Sequence, residues 1–386
     1  MPPVPLSVLD LVPIPAGSTA RDALHNTVDL ARQAELLGYR RYWFAEHHLN
    51  PGVAGTSPPV VIALVASATS TIRIGSGGVQ LGHRTALSVV EEFGLLDAFY
   101  PGRLDFGLGR SAGRPARRTE TAGGASDRSE RPRLEPSQPV TDGVTANGLR
   151  IPARFSVEKL LKSPRVALQR SLLQQPNAES QDYGAQVDDI LALLRGEYRS
   201  ADGLEAHAVP GEHAEVEVWI LGSSGGQSAE VAGANSLRFA ANYHVSPATV
   251  LEAVDGYRAA FQPSAELERP YIAVSADVVV AEDEESAREL AAGYGLWVRS
   301  IRTGEGAIAY PTLEQARAHI WSDEDRELVA DRIETQFVGS PPQVADHLRR
   351  LRDATGADEL VVTTMTHSHA DRVHSYELLA REWSTQ

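Results

Sequence analysis

Cysteine is absent from this sequence. Disulfide frameworks, thiolate zinc sites and cysteine nucleophiles are thereby excluded. Lysine is almost absent too: only Lys159 and Lys162 occur, and the other basic residues are arginines. That is a bias of coding composition and carries no chemistry. Positive charge is scarce overall, with a formal net charge of −15. A nucleic-acid-binding face would need clustered Lys and Arg, so no nucleic-acid partner is expected. No run approaches the roughly 18 apolar residues of a membrane span. The stretch Met1–Pro15 has no Lys or Arg and lacks the charged and apolar regions of a signal peptide. A soluble, cytoplasmic protein is expected, with no membrane partner. No Gly-Lys-Ser/Thr occurs, which argues against a nucleotide triphosphatase, and no His-Glu-x-x-His zinc pattern is present.

What remains is 386 residues, 42% of them apolar, enough for a sizeable core. Short β-rich runs alternate with amphipathic segments, which signals a parallel sheet with crossover helices. Strands are expected at Leu6–Val12, Arg40–Ala45, Ile72–Gly77, Leu104–Leu108, Glu217–Leu221, Arg238–Asn242, Ile272–Val280 and Glu359–Thr364. Helical spacing fills the intervals, beginning with Arg21–Leu37 and ending with a closing helix to Trp383. The rhythm breaks twice, at 112–155, which is polar and rich in Pro and Gly, and at Tyr294–Glu334. The economical reading is an α/β protein, one (β/α)₈ TIM barrel spanning residues 1–386 with two long insertions. An open doubly wound sheet is the alternative. The first insertion is expected outside the barrel as a mobile or extended cover. The second, with Trp297, Arg299 and Arg302, is the candidate lid.

Barrel chemistry sits at strand C-termini, and four of these carry unusual residues. Glu46-His47-His48 follows the second strand; a histidine there can act as acid or base, or be a surface-loop residue. Gly75-Ser76-Gly77-Gly78 ends the third, as a tight turn or as a place where a flat ring meets bare backbone. After the fourth comes Gly107-Leu108-Gly109-Arg110, whose arginine is a fork for phosphate or carboxylate, or one half of an ion pair. Gly222-Ser223-Ser224-Gly225-Gly226 leads into a helix whose free N–H groups favour an anion; a plain capped turn is the alternative. His367 and His369 could share a face, but no carboxylate stands at defined spacing, and no metal is assigned.

The order of these motifs resembles that of the bacterial luciferase-like flavin monooxygenases. The likeness runs through Gly38–His48, Ile72–Val79, Glu91–Asp97, Pro101–Arg110, Val218–Gly225 and Thr355–Leu360. It implies a barrel in which reduced FMN (FMNH2) and O2 act on a small organic substrate through a flavin peroxide. By the same likeness His47 is the active-site histidine, and Gly77 and Gly78 lie against the flavin ring. Gly109, Arg110, Ser223, Ser224, Gly225 and Gly226 fall in the cofactor site, with the phosphate held by Arg110 and the Gly/Ser turn. A non-prolyl cis peptide within Ser76-Gly77-Gly78, a separate flavin reductase and a homodimer are implied as well. Gly109 stands where the light-emitting chain carries a reactive thiol, and Ser223 where it carries an acid, so aldehyde light emission is not implied. Two alternatives remain: a deazaflavin-dependent hydride-transfer enzyme of the same barrel superfamily, and a non-catalytic flavin-binding protein.

Overall fold

Side chains alternate between the two faces of a strand, so a strand buried on both faces shows two distinct sets of residues. Eight such strands occur in the computed structural model, which describes residues 3–110, 142–175, 178 and 181–385. They are β1 (Leu6–Asp10), β2 (Arg41–Phe44), β3 (Arg73–Ser76) and β4 (Leu104–Gly109). The second half comprises β5 (Glu217–Gly222), β6 (Arg238–Asn242), β7 (Ile272–Val280) and β8 (Glu359–Thr363). Each pairs in parallel with the next, and β8 pairs with β1, closing a (β/α)₈ barrel. The open-sheet alternative is thereby excluded.

The outward set, including Val8, Tyr42, Phe44, Ile74, Phe106, Phe239 and Val274, packs against the surrounding helices in the main core. α1 (Ala20–Leu36) begins with a capping box between Thr19 and Asp22, and α7 (Pro341–Thr355) ends on Gly356 in the left-handed conformation.

The inward set is layered. At the floor Arg41 binds Asp105 (2.8 Å), Glu217 (2.8 Å) and Glu359 (3.0 Å), while Arg73 Nε reaches Asp105 at 2.8 Å. Trp43 Nε1 donates to Asp105 from the layer above at 2.8 Å. Polar side chains thus close the N-terminal end. The middle layer is apolar: Leu9, Trp43, Trp219, Ala240, Ala273 and Val361 belong to a second core cluster. Two glycines stand where the neighbouring strand backbone leaves no room for a side chain. A Cβ on Gly75 would sit 2.3 Å from the Asp105 carbonyl oxygen, and one on Gly107 would sit 1.9 Å from that of Ser76. The cavity lies at the C-terminal end of the barrel.

Both insertions contain regular elements. Of the first, residues 112–141 lie outside the described residues. Its end is not loose cover: Gly143–Val144 pairs with Arg150–Ile151 in a hairpin, and Leu149 and Ile151 are buried in the main core. Two apolar residues two apart suffice for a small hairpin, a signal too short to register as periodicity. The second is mostly helical, with helices at Tyr294–Arg302, Leu313–Ala318 and Asp323–Thr335. A short strand, Phe337–Gly339, then pairs with β7. Tyr294, Trp297, Val298, Ala307, Tyr310 and Val329 join the same cluster as the barrel interior.

Candidate active site

Above the apolar layer lies a cavity of about 530 Å³. His47, Gly77, Gly78, Gly109, Arg110, Ser223 and Ser224 all line it, although they come from the ends of four different strands. Gly225 and Gly226 are not among its lining residues. The Gly225 N–H is turned toward Glu252 Oε1 at 3.3 Å. At that turn the donors left are the two serine hydroxyls and the N–H groups of Gln227 and Ser228, the first two residues of the helix Gln227–Ala234, since the Ala229 N–H already bonds the Gly226 carbonyl at 2.9 Å.

Arg110 is exposed, and among the described residues its NH1 makes one long bond, 3.4 Å, to Gln227 Oε1. This guanidinium is therefore available to an anion at the rim. Gly77 and Gly78 are joined by a cis peptide, as the resemblance implies. Their lack of side chains is also demanded by packing, since a Cβ on Gly77 would lie 2.6 Å from Leu9 Cδ1 and one on Gly78 2.8 Å from the Gly107 carbonyl oxygen.

The tripeptide after β2 divides its labour. His47 is anchored through its N–H to the Gly55 carbonyl (2.8 Å), and its buried Nδ1 has no partner among the described residues. Burial first, then the neighbouring His48, lowers the His47 pKa to about 4, so the ring is neutral near pH 7. Glu46 accepts hydrogen bonds from Gln80 N (3.0 Å) and lies 2.8 Å from His48 Nε2 and 3.0 Å from His83 Nε2. Burial raises its carboxyl, but the hydrogen bonds from His48 and His83 outweigh that and bring it to about 2. Glu46, His48 and His83 form a three-ligand group, with candidate ligand atoms within 4.8 Å of one another. The Arg84 guanidinium 3.7 Å from the same carboxylate opposes a metal ion there. His367 and His369 each have another partner, Ala16 O at 3.0 Å and Asp29 Oδ2 at 2.8 Å.

The sequence profile of the luciferase-like monooxygenases matches residues 4–135 and 187–359. The chain belongs to that family. This luciferase-like chain is 33% identical over 384 residues to the uncharacterized protein YvbT of Bacillus subtilis (strain 168), covering 99% of this chain and 97% of YvbT. A luciferase-like monooxygenase of Escherichia coli (strain K12) is 32% identical over 375 residues, 97% of this chain and 96% of that protein. Among solved structures, apo-MsnO8 is 30% identical with a TM-score of 0.75, covering 99% of this chain and 98% of its own. Two more distant structures share the fold. The oxygenating constituent of 3,6-diketocamphane monooxygenase from Pseudomonas putida, in complex with FMN, has a TM-score of 0.65 at 16% identity and covers 99% of each chain. An F420-dependent secondary alcohol dehydrogenase has a TM-score of 0.58 at 14% identity and likewise covers 99% of each chain.

Several lining residues of this family member escaped the sequence reading: Asn242, His244, Ser275, Asp277 and Arg332. An aspartate inside the apolar run Ile272–Val280 was a usable signal, because a charge there needs a buried partner. That partner is Arg332, 3.2 Å away, with the Tyr294 hydroxyl bonded to both. Of the residues named for the lid, Trp297 lines the cavity. Arg299 and Arg302 instead bind Asp325 and Asp331 within the insertion. Among the described residues no helix is long and apolar enough to cross a membrane.

Proposed function

We propose that the protein is an FMNH2-dependent monooxygenase that acts on a small organic substrate with O2. The observation that carries this reading is one cavity with anion donors at its β4–β5 rim and a neutral histidine, its Nδ1 unpartnered, after β2. The residues fit such a cofactor. Arg110, Ser223, Ser224 and the N–H groups of Gln227 and Ser228 would hold the phosphate. Gly77, Gly78, Leu9, Trp43, Leu221 and Val361 offer bare backbone and apolar walls to a flat ring. Reduced FMN, when bound, supplies the electrons that activate oxygen.

The chain's own residues do the rest. The apolar layer beneath excludes water from the reacting end. His47 holds or moves a proton at Nδ1 without first having to lose one, because it is neutral at working pH. Glu46, held by His48, His83 and Gln80, keeps the β2 turn in place. A separate reductase supplying the flavin, and a homodimer, belong to the same proposal.

The test is anaerobic titration with photoreduced FMN and with reduced deazaflavin F420, followed by mixing with air. FMNH2 is expected to bind roughly tenfold more tightly or better, and its oxidation by O2 to follow different kinetics from free FMNH2. Binding of the deazaflavin alone, with no oxygen consumed, would overturn the proposal in favour of hydride transfer. Flavin binding that leaves its reaction with O2 unchanged would favour a carrier.

A further inference from the structure

The flavin reading uses the β2–β5 side of the mouth and leaves the β6–β7 side without a role. Asn242 ends β6 and His244 follows it, Asp277 comes from β7, and Trp297 and Arg332 from the helices after it; all line the cavity. Trp297 and Arg332 are more than nine-tenths buried, at 5% and 8% exposure. Among the described residues their hydrogen bonding is incomplete. Arg332 NH2 is spent on Tyr294 OH (2.7 Å) and Asp277 (3.2 Å), but its Nε–H has no acceptor. Trp297 Nε1–H has none either, and Asn242 Oδ1 has no donor. A buried donor without a partner costs about 1–3 kcal/mol, so this wall is built for something that brings acceptors.

We infer that the β6–β7 side of the mouth is a subsite for an acidic substrate, whose carboxylate is taken by Arg332 Nε–H and Trp297 Nε1–H and whose reacting atom faces His47. The inference rests on the monooxygenase reading for its substrate and deepens it. A carboxylate suits two N–H donors, one of them on a guanidinium, better than an alcohol or an amine does. The titratable groups facing Arg332 are His244, Tyr294 and Asp277. His244 is held neutral by burial and by Arg332 itself, and bonds Ser275 Oγ at 2.6 Å. Tyr294 is a neutral phenol. The Asp277 carboxyl is pushed up by burial in spite of Arg332 and Tyr294. Arg332 keeps its NH2 on Asp277, so what it offers the ligand is the Nε–H edge. Asn242 Oδ1 remains to accept an N–H or O–H elsewhere on the substrate.

Calorimetric titration with octanoate, octanamide and octylamine tests this, with FMN binding measured on the same samples. Octanoate should bind roughly tenfold more tightly than either neighbour. Arg332→Lys keeps a cation beside Asp277 but removes the planar fork, and should cut the preference to about threefold or less while FMN binding stays unchanged. Trp297→Phe keeps the ring and should lower octanoate affinity several-fold, which preserves a test if Arg332→Lys does not fold. Equal affinity for octanoate and octanamide, or full preference in both variants, overturns the subsite. Lost FMN binding with the octanoate preference intact would instead count against the flavin reading.

Discussion

His47 and Arg110 line one cavity but meet different demands. Arg110 is exposed and, among the described residues, weakly partnered, so removing it should cost binding and little stability. Charge-assisted bonds to a phosphate are worth about 1.5–3 kcal/mol each. Arg110→Ala should therefore weaken FMNH2 about tenfold or more and leave riboflavin, which has no phosphate, nearly unchanged. Equal losses for both ligands would remove Arg110 from the phosphate site. His47→Ala should bind FMNH2 within a few-fold of wild type and oxidise about a hundredfold less substrate, with oxygen diverted to hydrogen peroxide. Normal turnover, or failure only through lost flavin binding, would overturn that role.

The buried histidines also leave a signature in stability. His244 has its pKa lowered to about 3 and His47 to about 4, each first by burial, against about 6.5 in an unfolded chain. Between these values the unfolded state binds protons that the native state does not. Stability therefore falls as pH drops below about 6.5, by up to about 1.4 kcal/mol per pH unit for each histidine. His244→Gln should remove one histidine's share of that slope, read from urea midpoints between pH 6.5 and 5. The Glu46 carboxyl, at about 2, loses its contribution only below its unfolded value, so it does not enter this window. An unchanged slope would mean that His244 protonates in the native state.

At the level of elements, the motif Gly107-Leu108-Gly109 contains two glycines with different reasons to be there. Gly107 lies where β3 and β4 approach, with the Ser76 carbonyl 1.9 Å from any added Cβ. Gly109 faces the cavity, and its nearest neighbour would be the Val79 carbonyl oxygen at 3.5 Å. Gly107→Ala should cost roughly 2 kcal/mol or more through overpacking. Gly109→Ala should fold normally, so that any change it causes appears in ligand binding. A denaturant midpoint for each variant checks this, and equal destabilisation would refute the distinction. Strand positions were legible because they are local: the expected Arg238–Asn242 and Ile272–Val280 coincide with β6 and β7. The helices of the second insertion were not, because Tyr294, Trp297 and Val298 bury themselves against a barrel mouth assembled from distant strands.

For the whole molecule, that shared packing bears on cooperativity. The insertion helices have no core separate from the barrel: Tyr294, Trp297 and Val329 belong to one cluster with Leu9, Trp43 and Trp219. Tryptophan fluorescence and far-UV circular dichroism should therefore report one coincident unfolding transition in urea. An earlier fluorescence transition would show that the insertion melts alone, as a detachable lid would.

The sequence by itself determined the barrel, the cavity-facing strand ends and the family. Each depends on residues close in the chain: period-two strands, helical spacing, and the motifs Glu46-His47-His48, Gly77-Gly78, Gly109-Arg110 and Ser223-Ser224. Tertiary structure decided which way those groups are spent. It turned the Gly225 N–H toward Glu252, tied Glu46 to His83, and carried Leu149 and Ile151 into the core. It also brought Asn242, Asp277, Trp297 and Arg332 to one wall of the cavity. No local pattern encodes that wall. Its residues meet only because the strands close into a ring and the helices after β7 fold back over the mouth, and their pKa shifts and unpaired donors arise from burial that only this closure creates.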